Sequence, residues 1–241
     1  LMPGHIRRFP LGGQAAACAA PGEGVLHIAI FDEAARIDVN VASLPVLQAL
    51  LAGLGQPPEN AAALADAIID YRDNDNQPRA QGAEQAEYAS AGLGWPPKNA
   101  PFQSFDELGQ VLGMTPALLE ALRPHLGVHS GLAGIDPAHA SSDLIGLLRG
   151  GWGNSAGAFG DTPQLHPELA LPAIFVSASH RRVYSLTVQA ATPSRAVYVA
   201  QAVVDLGARN SRGHKFLRWT RGSVQISPDQ DKAEVRGLPN C

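Results

Sequence analysis

The sequence predicts an α+β fold in which an antiparallel β-sheet is interrupted by a large inserted helical domain. Strand-like segments stand near both ends of the chain, helical segments fill the middle, and two similar stretches border that middle part. The stretches, 36–43 and 134–141, each join a short extended entry to a serine, Ser43 or Ser141, that can cap a following apolar helix. The predicted domains are a β domain over 1–35 and 173–241, an inserted all-α domain over 36–150, and a Gly- and Pro-rich linker or loop over 151–172.

The composition excludes several classes of protein. Of the 241 residues, 45% are hydrophobic and 17% are charged, as in ordinary folded domains. The net charge of −4 gives none of the basic surface that nucleic acids and anionic membranes attract. The sequence holds no apolar run long enough to cross a bilayer. We therefore expect no nucleic acid among the partners.

The β domain is predicted from one strand before the helical block and three strands after it. Residues 25–31 are largely apolar, as in a buried strand, whereas the Gly- and Ala-rich residues 1–23 look irregular. Turn-forming residues separate the later segments, so an antiparallel meander is expected there. Its strands are predicted over 182–189, 196–206 and 214–220.

The inserted domain is predicted from apolar residues at helical spacing and from helix start signals. Ser104 and Glu107 match a capping box, and Thr115 with Pro116 marks another helix start. A helix, a glycine-containing turn and a second helix follow one another twice, around Gly55 and again over 112–114, as in helix–hairpin–helix motifs.

These hairpin-like repeats leave two functions open. DNA-binding hairpins place cations beside the turn, and neither turn here holds Lys or Arg. A structural or protein-contact role is therefore favoured. A helix–hairpin–helix nucleic-acid-binding protein of the envelope is the alternative.

Oxygen-bearing side chains are concentrated between residues 70 and 88. Calcium binds six to eight oxygen ligands on flexible loops. Asp73, Asp75 and Glu84 have the spacing of EF-hand positions one, three and twelve, but Pro78 stands where an EF-hand has glycine. The segment is therefore not an EF-hand, and the spacing alone leaves a calcium site and a solvated acidic loop as alternatives.

Cysteine and catalytic signals are sparse. Cys18 and Cys241 are the two cysteines, and they would pair in an oxidising compartment or remain two unrelated thiols. Neither has a neighbouring His or Cys at zinc-ligand spacing. Because no nucleophile or phosphate-loop motif is present, we predict that the protein is not an enzyme.

Several stretches, taken in order, resemble the type II secretion system minor pseudopilin K family, also called general secretion pathway protein K. The similarity is strongest over 18–148. The stretches that carry it are 18–22, 32–40, 67–75, 82–88, 99–108, 113–115 and 122–126.

This resemblance implies a pilin-like fold whose N-terminal hydrophobic helix is absent from this chain. It implies a non-enzymatic subunit that caps or initiates the tip of a periplasmic pseudopilus, in complex with minor pseudopilins I and J, with secreted proteins as further candidate partners. The protein would be held in the bacterial inner membrane only through the missing helix. Members of the family carry calcium on the helical domain, so the resemblance implies structural calcium at Asp73, Asp75, Glu84 and Glu87.

Overall fold

The computed structural model describes two compact units, which we call the sheet unit (1–33 with 181–241) and the helical unit (34–180). The described residues are 9–20, 24–155, 165, 166, 168, 170–179, 183–192, 197–207, 213–222 and 239. The strands are β1 (Gly12–Ala20), β2 (Gly24–Asp32), β3 (Ile37–Asp38), β4 (Leu126–Gly127), β5 (Leu165–His166), β6 (Leu171–Pro172), β7 (Val183–Ala191), β8 (Val197–Asp205) and β9 (Lys215–Arg221). The helices are α1 (Leu44–Gly53), α2 (Pro58–Arg72), α3 (Gln85–Ser90), α4 (Pro116–Leu122) and α5 (Ser142–Ser155).

The sheet unit is built on an antiparallel sheet with the order β1-β2-β7-β8-β9. The four predicted strands correspond to β2, β7, β8 and β9, and the predicted meander is present. Strand β1 corrects the prediction that residues 1–23 are irregular. Its Gly- and Ala-rich sequence has low strand propensity, so pairing with β2 decides its conformation.

One face of this sheet is apolar. Ile28 lies opposite Val188, and Ile30 lies opposite Leu186, and directly paired residues share a face. These four side chains are only half-buried. The same face also carries Leu26, Ala190, Ala200 and Ala202.

The helical unit holds most of the buried core, but it is not all-α. Two short strand pairs, β3 with β4 and β5 with β6, accompany its helices. Leu171 and Phe175 are fully buried within the same core as α1 and α2. This burial is why the described part of the predicted 151–172 linker belongs to the helical unit, which extends to residue 180. Residues 156–164 of that linker lie outside the described residues.

The two similar stretches noted in the sequence fold alike, and we call them the first repeat (36–53) and the second repeat (134–151). In each, an aspartate, Asp38 or Asp136, accepts a hydrogen bond from the amide two residues later, at 2.9 Å. Its other oxygen accepts from a distant amide, that of Gly131 at 2.6 Å or Ser179 at 2.8 Å. Each repeat then continues into a helix, α1 or α5.

The helices of the two repeats pack backbone against backbone. A Cβ on Gly53 of α1 would lie 2.2 Å from the carbonyl oxygen of Leu147. A Cβ on Gly151 of α5 would lie 1.8 Å from the carbonyl oxygen of Ala49. Because any side chain would clash with backbone, both positions require glycine.

Two of the four predicted caps make the expected side-chain hydrogen bond and two do not. Thr115 Oγ1 accepts from Leu118 N at 3.2 Å, and Ser141 Oγ accepts from Leu144 N at 3.1 Å. Ser43 Oγ is buried without a hydrogen-bond partner.

The predicted capping box at Ser104 is the other exception, because Ser104 Oγ donates to Glu107 Oε1 at 3.5 Å and does not cap a backbone amide. The Glu107 carboxylate accepts from Gln103 N at 3.2 Å and pairs with Lys98 Nζ at 2.6 Å. The segment Phe105–Gln110 is a 3-10 helix.

Among the described residues, no helix is long and apolar enough to span a membrane.

Candidate metal site in the helical unit

Three of the predicted calcium ligands come together where α2 ends and α3 begins. Asp73 follows the last residue of α2, Asp75 lies in the loop, and Glu84 immediately precedes α3. One carboxylate oxygen from each lies within 4.8 Å of the others. The loop between α2 and α3 therefore folds back and brings the three carboxylates close together.

Two aspartates on α2 hold this loop in place. Asp66 pairs with Arg79 Nε at 2.8 Å and accepts from Gln81 N at 3.1 Å. Asp70 Oδ2 accepts from Arg79 N at 3.1 Å and from Ala83 N at 2.9 Å. Three of these four bonds are donated by backbone amides of the loop, so the loop conformation depends on α2.

Gly82 is part of the same arrangement because the backbone approaches Asp70 closely there. A Cβ on Gly82 would lie 1.9 Å from Asp70 Oδ2. A side chain at this position would push the aspartate or the loop away. The glycine therefore permits the bond that brings Glu84 towards Asp73.

The cluster contains buried oxygens without hydrogen-bond partners. They are Asp70 Oδ1, Asp73 Oδ1, both carboxylate oxygens of Glu84, and Asn99 Oδ1. Asp70 is 0% exposed and Glu84 is 4% exposed. Buried acceptors are normally satisfied by hydrogen bonds or by a metal ion. The residues therefore fit a bound cation.

The electrostatics of the cluster point the same way. Burial is the main cause that raises the pKa of Asp70, Asp73 and Glu84 above ordinary values. Repulsion between neighbouring carboxylates adds to each rise. A cation would reverse this effect, because it favours the ionised form of every carboxylate that it contacts.

Asn99 connects a second loop to the cluster. Its Nδ2 donates to the carbonyl oxygen of Asp75 at 2.6 Å and to Asn76 Oδ1 at 2.8 Å. Its φ of 50° lies in the left-handed region, which asparagine tolerates better than most residues. Sequence reasoning missed Asn99, because no local pattern relates it to residues 73–84.

The candidate ligand set differs from the prediction in two further ways. Glu87 is not in the group of three close carboxylates, and its Oε2 accepts from Glu84 N at 2.9 Å and so caps α3. Asp70 was also missed, although it stands one helical turn after Asp66 on a buried side of α2. The remaining donors are all oxygens, which suit calcium rather than zinc.

The predicted disulfide concerns the sheet unit. Cys18 lies in β1, is 2% exposed and is disulfide-bonded. Its neighbour Ala19 donates its amide to the carbonyl oxygen of Pro239 at 2.8 Å. Cys241 lies outside the described residues, so its pairing with Cys18 stays a prediction.

Comparison of the sequence with known proteins gives one family. Residues 27–130 match the family model described as type II secretion system (T2SS), protein K. The protein named type II secretion system protein K from Klebsiella pneumoniae is 31% identical over 117 residues, covering 43% of this chain and 36% of that protein. Its namesake from Dickeya chrysanthemi is 34% identical over 83 residues, covering 34% of this chain and 22% of that protein. The matches thus span well under half of these relatives.

The fold also resembles a solved structure. A chain in the crystal structure of the GspK-GspI-GspJ complex from the type 2 secretion system of enterotoxigenic Escherichia coli matches with a TM-score of 0.69 and 16% identity. The match covers 91% of this chain and 89% of that chain. The family model and both named relatives agree on one family, and this part of the chain is similar to type II secretion system protein K.

Proposed function

We propose that this chain is a non-enzymatic assembly subunit of a type II secretion pseudopilus, a minor pseudopilin at its tip that serves protein secretion across the outer membrane. The observation that carries the proposal is the likeness to a chain of the GspK-GspI-GspJ complex, which extends over 91% of the chain. Counterparts of GspI and GspJ are therefore the proposed partners.

The apolar face of the sheet supports a pilin-like assembly. Ile28, Ile30, Leu186 and Val188 occupy central strands, yet they stay half-buried. A hydrophobic helix packed on this face would remove their apolar surface from water, which is favourable in proportion to the area buried. We propose that an N-terminal helix of the full protein packs there and anchors it in the inner membrane, with both units in the periplasm.

The size of the helical unit supports a position at the tip. It occupies residues 34–180 and interrupts the sheet unit between β2 and β7. Pilin subunits add to a filament by repeating one packing arrangement, and a bulky insert obstructs a further subunit above it. The insert would therefore make this subunit terminal.

We also propose that calcium binds at Asp73, Asp75 and Glu84, with Asp70 and Asn99 beside them. The ion would supply positive charge to the buried, unpartnered oxygens of these residues. In this role calcium is structural, because it stabilises the loop between α2 and α3.

The assembly proposal is tested by reconstitution. The chain is mixed with soluble regions of minor pseudopilins I and J, and the mass of the product is measured by light scattering after gel filtration. We expect one complex that contains all three proteins, whereas I and J alone should give a smaller species. Elution of this chain as a separate species at micromolar concentrations would contradict the proposed partnership.

The calcium proposal is tested by thermal unfolding. Calcium added after EDTA should raise Tm at matched ionic strength, since a ligand at one hundred times its Kd stabilises the native state by about 2.7 kcal/mol. The double variant Asp73→Asn, Glu84→Gln should lose this rise. Glu87→Gln is the matched control, because Glu87 caps α3 outside the cluster, and it should keep the rise. An equal response of the parent protein to magnesium, or no response to calcium, would contradict a calcium site.

A further inference from the structure

We infer that Asn40, in the turn of the first repeat, is a positioning residue for the proposed calcium site. The inference rests on that proposed site. The turn over 38–42 contacts both chain segments that carry the candidate ligands, although it supplies no ligand itself.

The first contact is made by the side-chain amide of Asn40. Its Oδ1 accepts from Phe102 N at 2.7 Å, and its Nδ2 donates to Phe102 O at 2.9 Å and to Val128 O at 3.2 Å. The ring of Phe102 stacks on Tyr71 of α2, with 4.8 Å between ring centroids. Both the backbone and the ring of Phe102 are thereby fixed.

This contact reaches the cluster through Asn99, three residues before Phe102. Asn99 Nδ2 holds the loop at Asp75 and Asn76, and its Oδ1 is buried without a partner. Because the segment between residues 99 and 102 is short, fixing one end limits the positions open to the other. Asn40 therefore restricts where Asn99 and the Asp75 backbone lie.

The second contact is made by Arg72, the last residue of α2. Its guanidinium donates to the carbonyl oxygens of Val39 and Ala42, at 2.7 Å for Ala42. Asp73 follows directly. The same turn thus fixes the end of α2 from which the loop departs.

The second repeat shows that the folding role of the turn does not need this asparagine. Ala138 stands at the position equivalent to Asn40. Asp136 still makes the same pair of backbone hydrogen bonds as Asp38. Asn40 adds to this shared structure a connection to the candidate ligands, and residues that orient metal ligands commonly change metal affinity by about 10- to 100-fold.

The test compares calcium affinity in variants of the two repeats. Calcium is titrated calorimetrically into the metal-free full chain and into Asn40→Ala, at a temperature where both are folded. We expect Asn40→Ala to raise Kd about 10- to 100-fold. Asp136→Asn is the matched control, because it perturbs the equivalent turn, whose aspartate bonds to Ala138 N and Ser179 N and not to the segments that carry the candidate ligands, and it should keep the parent Kd while lowering Tm.

Two results would overturn the inference, and they are distinguishable. No binding to the parent chain would refute the proposed site and the inference together. Binding to the parent with an unchanged Kd in Asn40→Ala would leave the site and refute the role of Asn40. If Asn40→Ala does not fold, Asn40→Asp retains the acceptor for Phe102 N but loses both donor bonds, so the same rise in Kd is expected and the same result decides.

Discussion

The first and second repeats share one local structure but differ in their surroundings. In both repeats an aspartate accepts a hydrogen bond from the amide two residues later, and both repeats lead into a helix. Gly53 and Gly151 occupy equivalent positions where α1 and α5 cross. Yet most residues of α1 are buried, whereas α5 buries mainly Leu144, Leu148 and Gly151. A repeated pattern can thus specify a shared scaffold while one copy alone acquires contacts with a candidate site.

Substitutions at the crossing of α1 and α5 should lower the stability of the protein most. Gly53→Ala and Gly151→Ala should each destabilise the protein by about 1–3 kcal/mol or more, because the new methyl groups meet backbone oxygens. Urea unfolding measures the loss. Gly146→Ala in α5 is the control, since its Cβ meets nothing within 4 Å, and it should stabilise by about 0.5–1 kcal/mol. Equal stability of both clashing variants and the parent would mean that the helices do not cross as described.

The pH dependence of stability should distinguish the carboxylate cluster from Asp136 of the second repeat, with a smaller effect than the glycine substitutions. Burial alone would raise the pKa of Asp136, but hydrogen bonds from Ala138 and Ser179 and the charge of His139 outweigh it and lower that pKa. Asp136 therefore stabilises the fold above its unfolded pKa, and this contribution disappears as pH falls through the lower folded pKa. The cluster without calcium has raised pKa values, so its contribution becomes less favourable as pH rises through them.

Urea midpoints measured in EDTA between pH 7 and pH 3 distinguish the two groups. Glu84→Gln should reduce the gain in stability as pH first falls, and Asp136→Asn should reduce the loss at the acid end. With saturating calcium, the stabilisation by the ion should shrink as pH falls, because protons compete for the same oxygens. A pH profile of Glu84→Gln in EDTA that superimposes on the parent profile would contradict the raised pKa of Glu84.

Substitutions of the serines that precede α1 and α5 should change stability least. Ser141→Ala should cost about 1 kcal/mol, because Ser141 Oγ caps α5. Ser43→Ala should be neutral or slightly stabilising, because Ser43 Oγ is buried without a partner. Thermal or urea unfolding of the two single variants measures the difference. Similar losses in both would show that Ser43 also caps its helix.

The sequence predicted three carboxylates of the candidate site, but it did not predict the other residues that surround them. The spacing of Asp73, Asp75 and Glu84 led to three carboxylates that the structure brings together. Glu87 was predicted with them, and its hydrogen bond from Glu84 N could not be foreseen because it depends on where α3 begins. Asn99 and Asn40 were missed, because their roles come from contacts between segments that are distant in the chain.

Sequence patterns were sufficient to predict the α+β class, the four strands β2, β7, β8 and β9, the helical middle and the existence of the repeat. These features follow from local periodicity and turn residues, which act over a few neighbouring positions. Contacts between distant segments were needed to establish three other features. Gly12–Ala20 is a strand, Leu171 and Phe175 join the helical core, and the side chain of Ser141 caps a helix while that of Ser43 does not. These features depend on strand pairing, burial and competition for hydrogen bonds. All three involve segments that are distant in the chain, so local sequence patterns do not predict them.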